Sequence, residues 1–286
     1  MRDIVVGIIG GSGLYEIEGL KDVKEVKVRT PFGTPSDAYI MGNLGNVKMI
    51  FLPRHGKGHK LLPSELNYRA NIFGMKKLGV EWIISVSAVG SMREAIQPGH
   101  VVVVDQFFDR TKNRDSTFFG DGIVGHVEFA DPVCPELSDI LYRAGKKVKT
   151  SIHKGGTYMC IEGPQFSTKA ESRIYRKWGV DVIGMTNIPE AKLAREAEIC
   201  YATLALSTDY DCWHEAEESV TVEMILDTLN RNVETAKSII KEAIKLISDT
   251  RSCKCATAIK HAIITDRKTI PTKTKKKLEI LFSKYF

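Results

Sequence analysis

Apolar residues come in short dense runs that alternate with amphipathic stretches over most of the 286-residue chain. Residues 4–9, 26–29, 38–41, 47–52, 82–87, 100–105, 156–161 and 201–206 read as strands. The run 201–206 is almost wholly apolar, which marks a strand buried on both faces. Between these runs a three-four spacing predicts helices. One starts at Ser64 as N-cap and runs to about Lys77. A second covers 136–146, and a third opens on the capping box Thr168-Lys169-Ala170-Glu171 and ends near Trp178. A fourth covers 189–198, with Pro189 in the first helical position, and a long one runs from about 221 to 247. Val222, Ile225, Leu226 and Leu229 share a face of that last helix, a pattern that core packing also produces. Strands alternating with helices predict a single α/β domain, a central mixed, largely parallel β-sheet flanked by helices. No linker or internal repeat interrupts the chain before residue 248.

The polar residues that end the strands carry the candidate chemistry. The first strand runs into Gly10-Gly11-Ser12-Gly13, a turn that exposes backbone N–H groups and a hydroxyl and suits an anion as well as it suits a tight turn. It is not the dinucleotide fingerprint, because Glu16 stands where the third glycine belongs, nor a P-loop, because no Gly-Lys-Ser/Thr follows. The strand at 47–52 ends in Pro53-Arg54-His55-Gly56-Lys57-Gly58-His59, an anion site or an exposed basic loop. The strand at 82–87 ends in Ser87-Ala88-Val89-Gly90-Ser91, a second small-residue turn. Residues 106–133 form a long loop of few periodic positions, functional or a subunit contact, with His126 inside it. The strand at 201–206 ends in Ser207-Thr208-Asp209-Tyr210-Asp211. Two acids there are either a solvated turn or a proton donor and an amino-group grip at a strand's carboxyl end.

Composition bounds the function. With 43% hydrophobic and 27% charged residues this is a globular protein, and no apolar run has the length of a membrane span. The N-terminus lacks a signal-peptide pattern, so a cytoplasmic protein is expected. The net charge of +6 is local: residues 251–286 hold ten Lys/Arg and two Asp/Glu, leaving 31 basic and 33 acidic residues elsewhere. A nucleic-acid-binding body is therefore not indicated. Of the six cysteines, Cys134, Cys160 and Cys200 sit in apolar surroundings as buried free thiols. Cys253 and Cys255 can close a tight disulfide, and a Cys134–Cys200 bridge is a second option. A metal is disfavoured because no second ligand pair of suitable spacing stands nearby in the sequence.

Seven strings in one order, GIIGGSGL (7–14), TPFGTPSD (30–37), RHGKGH (54–59), PSELNYRANI (63–72), IEGPQFST (161–168), GMTNIPEAKLAREAEICYA (184–202) and STDYDCW (207–213), carry a resemblance. Residues 4–247 resemble the trimeric purine nucleoside phosphorylases, most closely their 5′-methylthioadenosine phosphorylase branch. The resemblance implies the nucleoside-phosphorylase fold over residues 1–250, followed by a separate basic extension, 251–286, that inherits no role. It implies phosphate held by Ser12, Arg54, His55, Ser87, the backbone at Ala88, and Thr186. Met185 would lie against the ribose and Phe166 on the base. Ser167, Asp209 and Asp211 would line the polar edge of the base, and Val222, Ile225 and Leu226 would surround the 5′ substituent. His126 would reach a neighbouring subunit's site in a trimer or a dimer of trimers. The implied reaction is reversible phosphorolysis of 5′-methylthioadenosine to adenine and 5-methylthioribose 1-phosphate, a purine and methionine salvage step, with 6-oxopurine nucleosides as the alternative substrates. Asp209 would protonate the leaving purine, its pKa raised by burial or by Asp211. Phosphate would be co-substrate, with no organic cofactor or metal. The resemblance implies that Ser167 and Val222 set the choice of substrate, since the related 6-oxopurine enzymes carry Glu and His there and Asn in place of Asp209.

Overall fold

The computed structural model describes residues 4–214 and 222–286, without the side chains of Ser12, residues 222–227 and Leu229. The expected contacts of Ser12, Val222, Ile225 and Leu226 therefore lie outside the described residues. Eleven strands and seven α-helices follow one another among the described residues: β1 Ile4–Gly10, β2 Lys21–Val26, β3 Tyr39–Leu44, β4 Val47–Pro53, α1 Tyr68–Lys77, β5 Trp82–Ser91, β6 Val101–Val103, β7 Gln106–Arg110, α2 Pro135–Lys147, β8 Ile152–Lys154, β9 Thr157–Ile161, α3 Lys169–Lys177, β10 Val182–Gly184, α4 Asn187–Glu196, β11 Cys200–Tyr210, α5 Val222–Ala243, α6 Thr272–Lys277 and α7 Glu279–Phe282. No described helix is long and apolar enough to cross a membrane.

All strands join one mixed sheet, in the order β2-β3-β4-β1-β5-β10-β9-β7, with β11 beside β5 and β6, and β8 beside β6. The pairs β1–β4, β1–β5, β5–β11, β9–β10, β7–β9 and β6–β8 are parallel. Alternation along β1 sends Val5 and Ile9 to one face and Val6 and Ile8 to the other. The first face packs Ile72 and Phe73 of α1 and Leu193 of α4, the second Leu137 and Leu141 of α2 and Ile239 and Ile240 of α5.

One irregularity of the sheet makes room for the site. β5 keeps β11 on one edge from Trp82 to Ser91. On its other edge it pairs β1 only as far as Ser85, and β10 only at Gly90 and Ser91. Between them the edge at residues 86–89 opens into a cavity.

The elements differ from the sequence expectation in instructive places. Helix α1 begins at Tyr68 because Asn67, not Ser64, is its cap, the side chain accepting from the Ala70 N–H. The turns read after residues 87 and 206 are continued strand: β5 runs to Ser91 and β11 to Tyr210, with an irregularity in register between Ser207 and Asp209. The long loop donates β7 to the sheet edge at β9. The capping box at Thr168 and Glu171 forms as expected.

Residues 251–286 are not set apart from the rest. Ile259, Ala262, Ile270, Leu278, Leu281, Phe282 and Tyr285 belong to the same buried cluster as β1 and α1. Phe282 stacks on Phe119 of the long loop at 5.0 Å, and the Thr274 hydroxyl donates to the carbonyl of Asp121.

Candidate active site

The opening beside β5 is a cavity of about 400 Å³. Arg54, His55, Ser87, Ala88, Phe166, Ser167, Met185, Thr186, Asp209 and Asp211, all singled out from the sequence, line it. They come from five loops or strand ends spread over 158 positions of the chain.

One end is built around Arg54, which the turn after β4 delivers into the interior at 3% exposure. Its Nε and Nη2 donate to the two carboxylate oxygens of Glu190 at 3.0 and 3.1 Å. Nη2 also donates to the Ser85 hydroxyl and the Ile9 carbonyl, and Nη1 to the Val86 carbonyl at 2.8 Å. Burial works against the guanidinium charge, but Glu190 outweighs it and holds Arg54 above its ordinary pKa. With most of its donors committed, Arg54 is a rigid, paired cation in the cavity wall. Beside it, the Ser87 hydroxyl lies 3.1 Å from that of Thr186 and 3.2 Å from that of Tyr158. Tyr158 reaches there only because residue 184 is glycine, since a Cβ would fall 2.0 Å from its hydroxyl.

His55 sits 4.3 Å from His59, ring stacked on ring, with Nδ1 2.8 Å from the Leu61 carbonyl. A carbonyl accepts only, so Nδ1 carries the proton. Burial first, then the charges of Arg54 and His59, push His55 down to about 4 despite the bond to Leu61. It is a neutral imidazole at neutral pH.

The other end carries the acids. Asp209 accepts from the Thr208 hydroxyl at 2.6 Å, and its Oδ1 lies against the Gly90 backbone. Burial raises the Asp211 carboxyl above the ordinary range. Among the described residues, Asp211 Oδ2 and Ser167 Oγ are buried without a hydrogen-bond partner. Such atoms cost free energy unless something polar meets them, so this end is made for a ligand with a polar edge. Phe166, 69% exposed, stands at the mouth.

His126, expected at a neighbouring subunit's site, does not line this chain's own cavity. It lines a separate depression with Phe129, Lys192 and Glu196, and its backbone N–H donates to the Ala262 carbonyl. Other residues escaped sequence reasoning. Glu190 reads there as one more acid in a helix, and only its burial at 1% beside Arg54 gives it a role. Arg114, from the long loop, donates to the carbonyls of Met185, Ile188 and Glu162 and so holds the segment that carries Met185 and Thr186. Asn187 ties Tyr201 and Thr203 together at 2.7 and 2.6 Å behind the site.

The family model described as the phosphorylase superfamily matches residues 5–245. The chain belongs to this superfamily. It is 61% identical to the S-methyl-5′-thioadenosine phosphorylase of Geobacter sulfurreducens over 98% of this chain and 99% of that protein. To that of Koribacter versatilis it is 58% identical, over 98% and 96%. A crystal structure of a methylthioadenosine phosphorylase from an antarctic soil metagenomic library superimposes with a TM-score of 0.93 at 50% identity, covering 98% of this chain and 99% of that one. A variant of the Schistosoma mansoni adenosine/methylthioadenosine phosphorylase, in complex with methylthioadenosine, gives a TM-score of 0.82 at 35% identity over 98% of both chains. The likeness to the Geobacter phosphorylase spans 282 residues, so it extends into the C-terminal segment that the sequence strings left out.

Proposed function

We infer that this phosphorylase-superfamily protein catalyses the reversible phosphorolysis of 5′-methylthioadenosine to adenine and 5-methylthioribose 1-phosphate. The observation that carries the reading is the polarity of the cavity along one strand. Its cationic, hydroxyl-rich end meets β5 at Ser85–Ser87 and its carboxylate end meets β5 at Gly90. Four residue-to-residue steps of strand separate Val86 from Gly90, about 13 Å at ~3.3 Å each, the reach of a nucleoside with phosphate beside its sugar.

In this reading phosphate sits among Arg54, His55, Ser87, the Ala88 backbone and Thr186. The ribose lies on Met185, and the purine lies between Phe166 and the pair Asp209 and Asp211. Phosphate attacks C1′ as the bond to N9 breaks. The positive charge that develops on the sugar is stabilised by the adjacent anion. Asp209 gives the leaving purine its proton, and Asp211 and Ser167 meet the 6-amino edge. Phosphate is the co-substrate, and no organic cofactor enters the chemistry. The same reading gives Ser12 a role toward phosphate and Val222, Ile225 and Leu226 a role toward the 5′ substituent, and has His126 reach a neighbour in a trimer or a dimer of trimers. The near-neutral body charge fits a cytoplasmic enzyme of small molecules rather than of nucleic acid.

The test is release of free purine from 5′-methylthioadenosine, adenosine and inosine with and without phosphate. The reading requires phosphate dependence and a preference in that order. Equal turnover of inosine and 5′-methylthioadenosine would replace it with a 6-oxopurine phosphorylase.

A further inference from the structure

Four of the six cysteines converge at a place the reaction does not use. Cys134, Cys200, Cys253 and Cys255 bring their sulfur atoms within 4.8 Å of one another. The sequence suggested no such set because the residue pairs stand far apart: Cys134 precedes α2, Cys200 opens β11, and Cys253 and Cys255 lie in the C-terminal segment. All are free thiols, and Cys200 and Cys253 approach to 3.3 Å. Tetrahedral zinc holds sulfur at ~2.3 Å, which sets neighbouring sulfurs about 3.8 Å apart, inside the range spanned here.

We propose that these four cysteines form a structural tetrathiolate site for zinc or a similarly soft divalent cation. Binding converts four thiols and one Zn²⁺ into a complex of charge −2 and releases four protons, so nothing beyond the ion is needed. Pairing the same thiols as disulfides would require an oxidant. The surroundings suit thiolates. Cys134 caps α2, its sulfur accepting from the Leu137 N–H, at the helix end where negative charge is favoured. The N–H groups of Ser252 and Cys253 are anchored on the Glu136 carboxylate, which fixes the Cys-x-Cys segment over the other two ligands. Cys134, Cys200 and Cys255 are at most 5% exposed, so the site is closed to substrate.

Its place in the fold tells its purpose. Cys200 and Asp209 stand at opposite ends of β11, nine residues or about 30 Å apart at ~3.3 Å each. The ion would clamp the C-terminal segment to the body and take no part in catalysis. This revises the expectation of a metal-free protein for structure, not for chemistry.

Metal content per protomer of the full-length protein, purified under reducing and oxygen-free conditions, tests the proposal. One zinc per protomer is expected, lost in Cys134→Ser and Cys255→Ser but kept in Cys160→Ser, whose sulfur lies outside the cluster. Cobalt(II) exchanged into the site should give the intense visible bands of a tetrahedral thiolate complex. Removing zinc with a chelator should lower Tm while leaving kcat of the still-folded enzyme unchanged. Two results overturn the proposal. One is a metal-free protein with six reactive thiols that gives no cobalt spectrum. The other is a metal-free protein whose unreduced mass is four hydrogens short, which would assign the cluster to two disulfides.

Discussion

Arg54 and Glu190, 136 positions apart, form a two-pronged ion pair at 3.0 and 3.1 Å with 3% and 1% exposure. The pair is the floor of the cationic, hydroxyl-rich end of the cavity. Its cost of desolvation is offset only while both partners and their further hydrogen bonds are present.

Removing one partner should therefore hurt more than removing a surface charge. Glu190→Ala leaves a buried guanidinium uncompensated and should lower unfolding free energy by about 3–5 kcal/mol, read from urea titration. Arg54→Lys keeps the charge but not the fork. It should raise KM for phosphate by an order of magnitude or more while KM for the nucleoside changes little; an unaltered phosphate dependence would remove Arg54 from the site.

Asp209→Asn should reduce turnover of 5′-methylthioadenosine by about 10²–10⁴-fold, the usual worth of a positioned proton donor. Residual activity should shift toward inosine, because an amide can donate to a 6-oxo group. Kinetics with both nucleosides at saturating phosphate check this. Full activity of the variant would assign the proton to another group.

His55 and Glu196 give the stability a pH dependence of opposite signs. His55 is lowered from 6.5 to about 4, so the folded state resists its protonation. Its contribution is intact above pH 6.5 and is lost as pH falls toward 4, at most about 3 kcal/mol. Glu196 is raised by burial from 4.5 to about 7. Its contribution is intact below pH 4.5 and is lost as pH rises through 7. Denaturant titrations from pH 4 to 8 should show a shallower acid arm in His55→Phe and a shallower alkaline arm in Glu196→Gln. Parallel curves for wild type and variants would contradict both assignments.

Truncation after residue 250 should not yield a working catalytic domain. It strips Ile259, Ile270, Leu278, Leu281 and Phe282 from the core, each worth about 1.5–3 kcal/mol when buried. Together these approach the whole stability of an ordinary domain, about 5–15 kcal/mol. Expression of the truncated chain should give aggregated protein. A soluble, active product would show that the segment is an ornament.

The local grammar of the chain was legible in the sequence. Period-two and period-three-four patterns marked β1, β9, α2 and the capped start of α3 close to where they lie. The loops that converge on the cavity were recognisable because strand ends collect ligands in such folds, and because their residue types were chemically out of place in plain turns. Where the reading strayed, a distant partner decided. Residues 207–210 look like a turn, yet β5 is there to pair them, so β11 continues. Ser64 looks like a cap, yet Asn67 also reaches Phe32 with its amide, which fixes the helix start three residues on.

What only the tertiary structure decided are relationships between residues far apart in the chain. The sequence named Arg54 but not Glu190, and six cysteines but not the four that meet. It placed a basic segment after residue 250 but could not show that half its apolar residues fill the main core. The physical reason is common to all three. Periodicity and turn chemistry are set by neighbours within a few residues. Buried ion pairs, ligand clusters and core membership depend on which surfaces the whole fold brings together, and no local pattern encodes that distance.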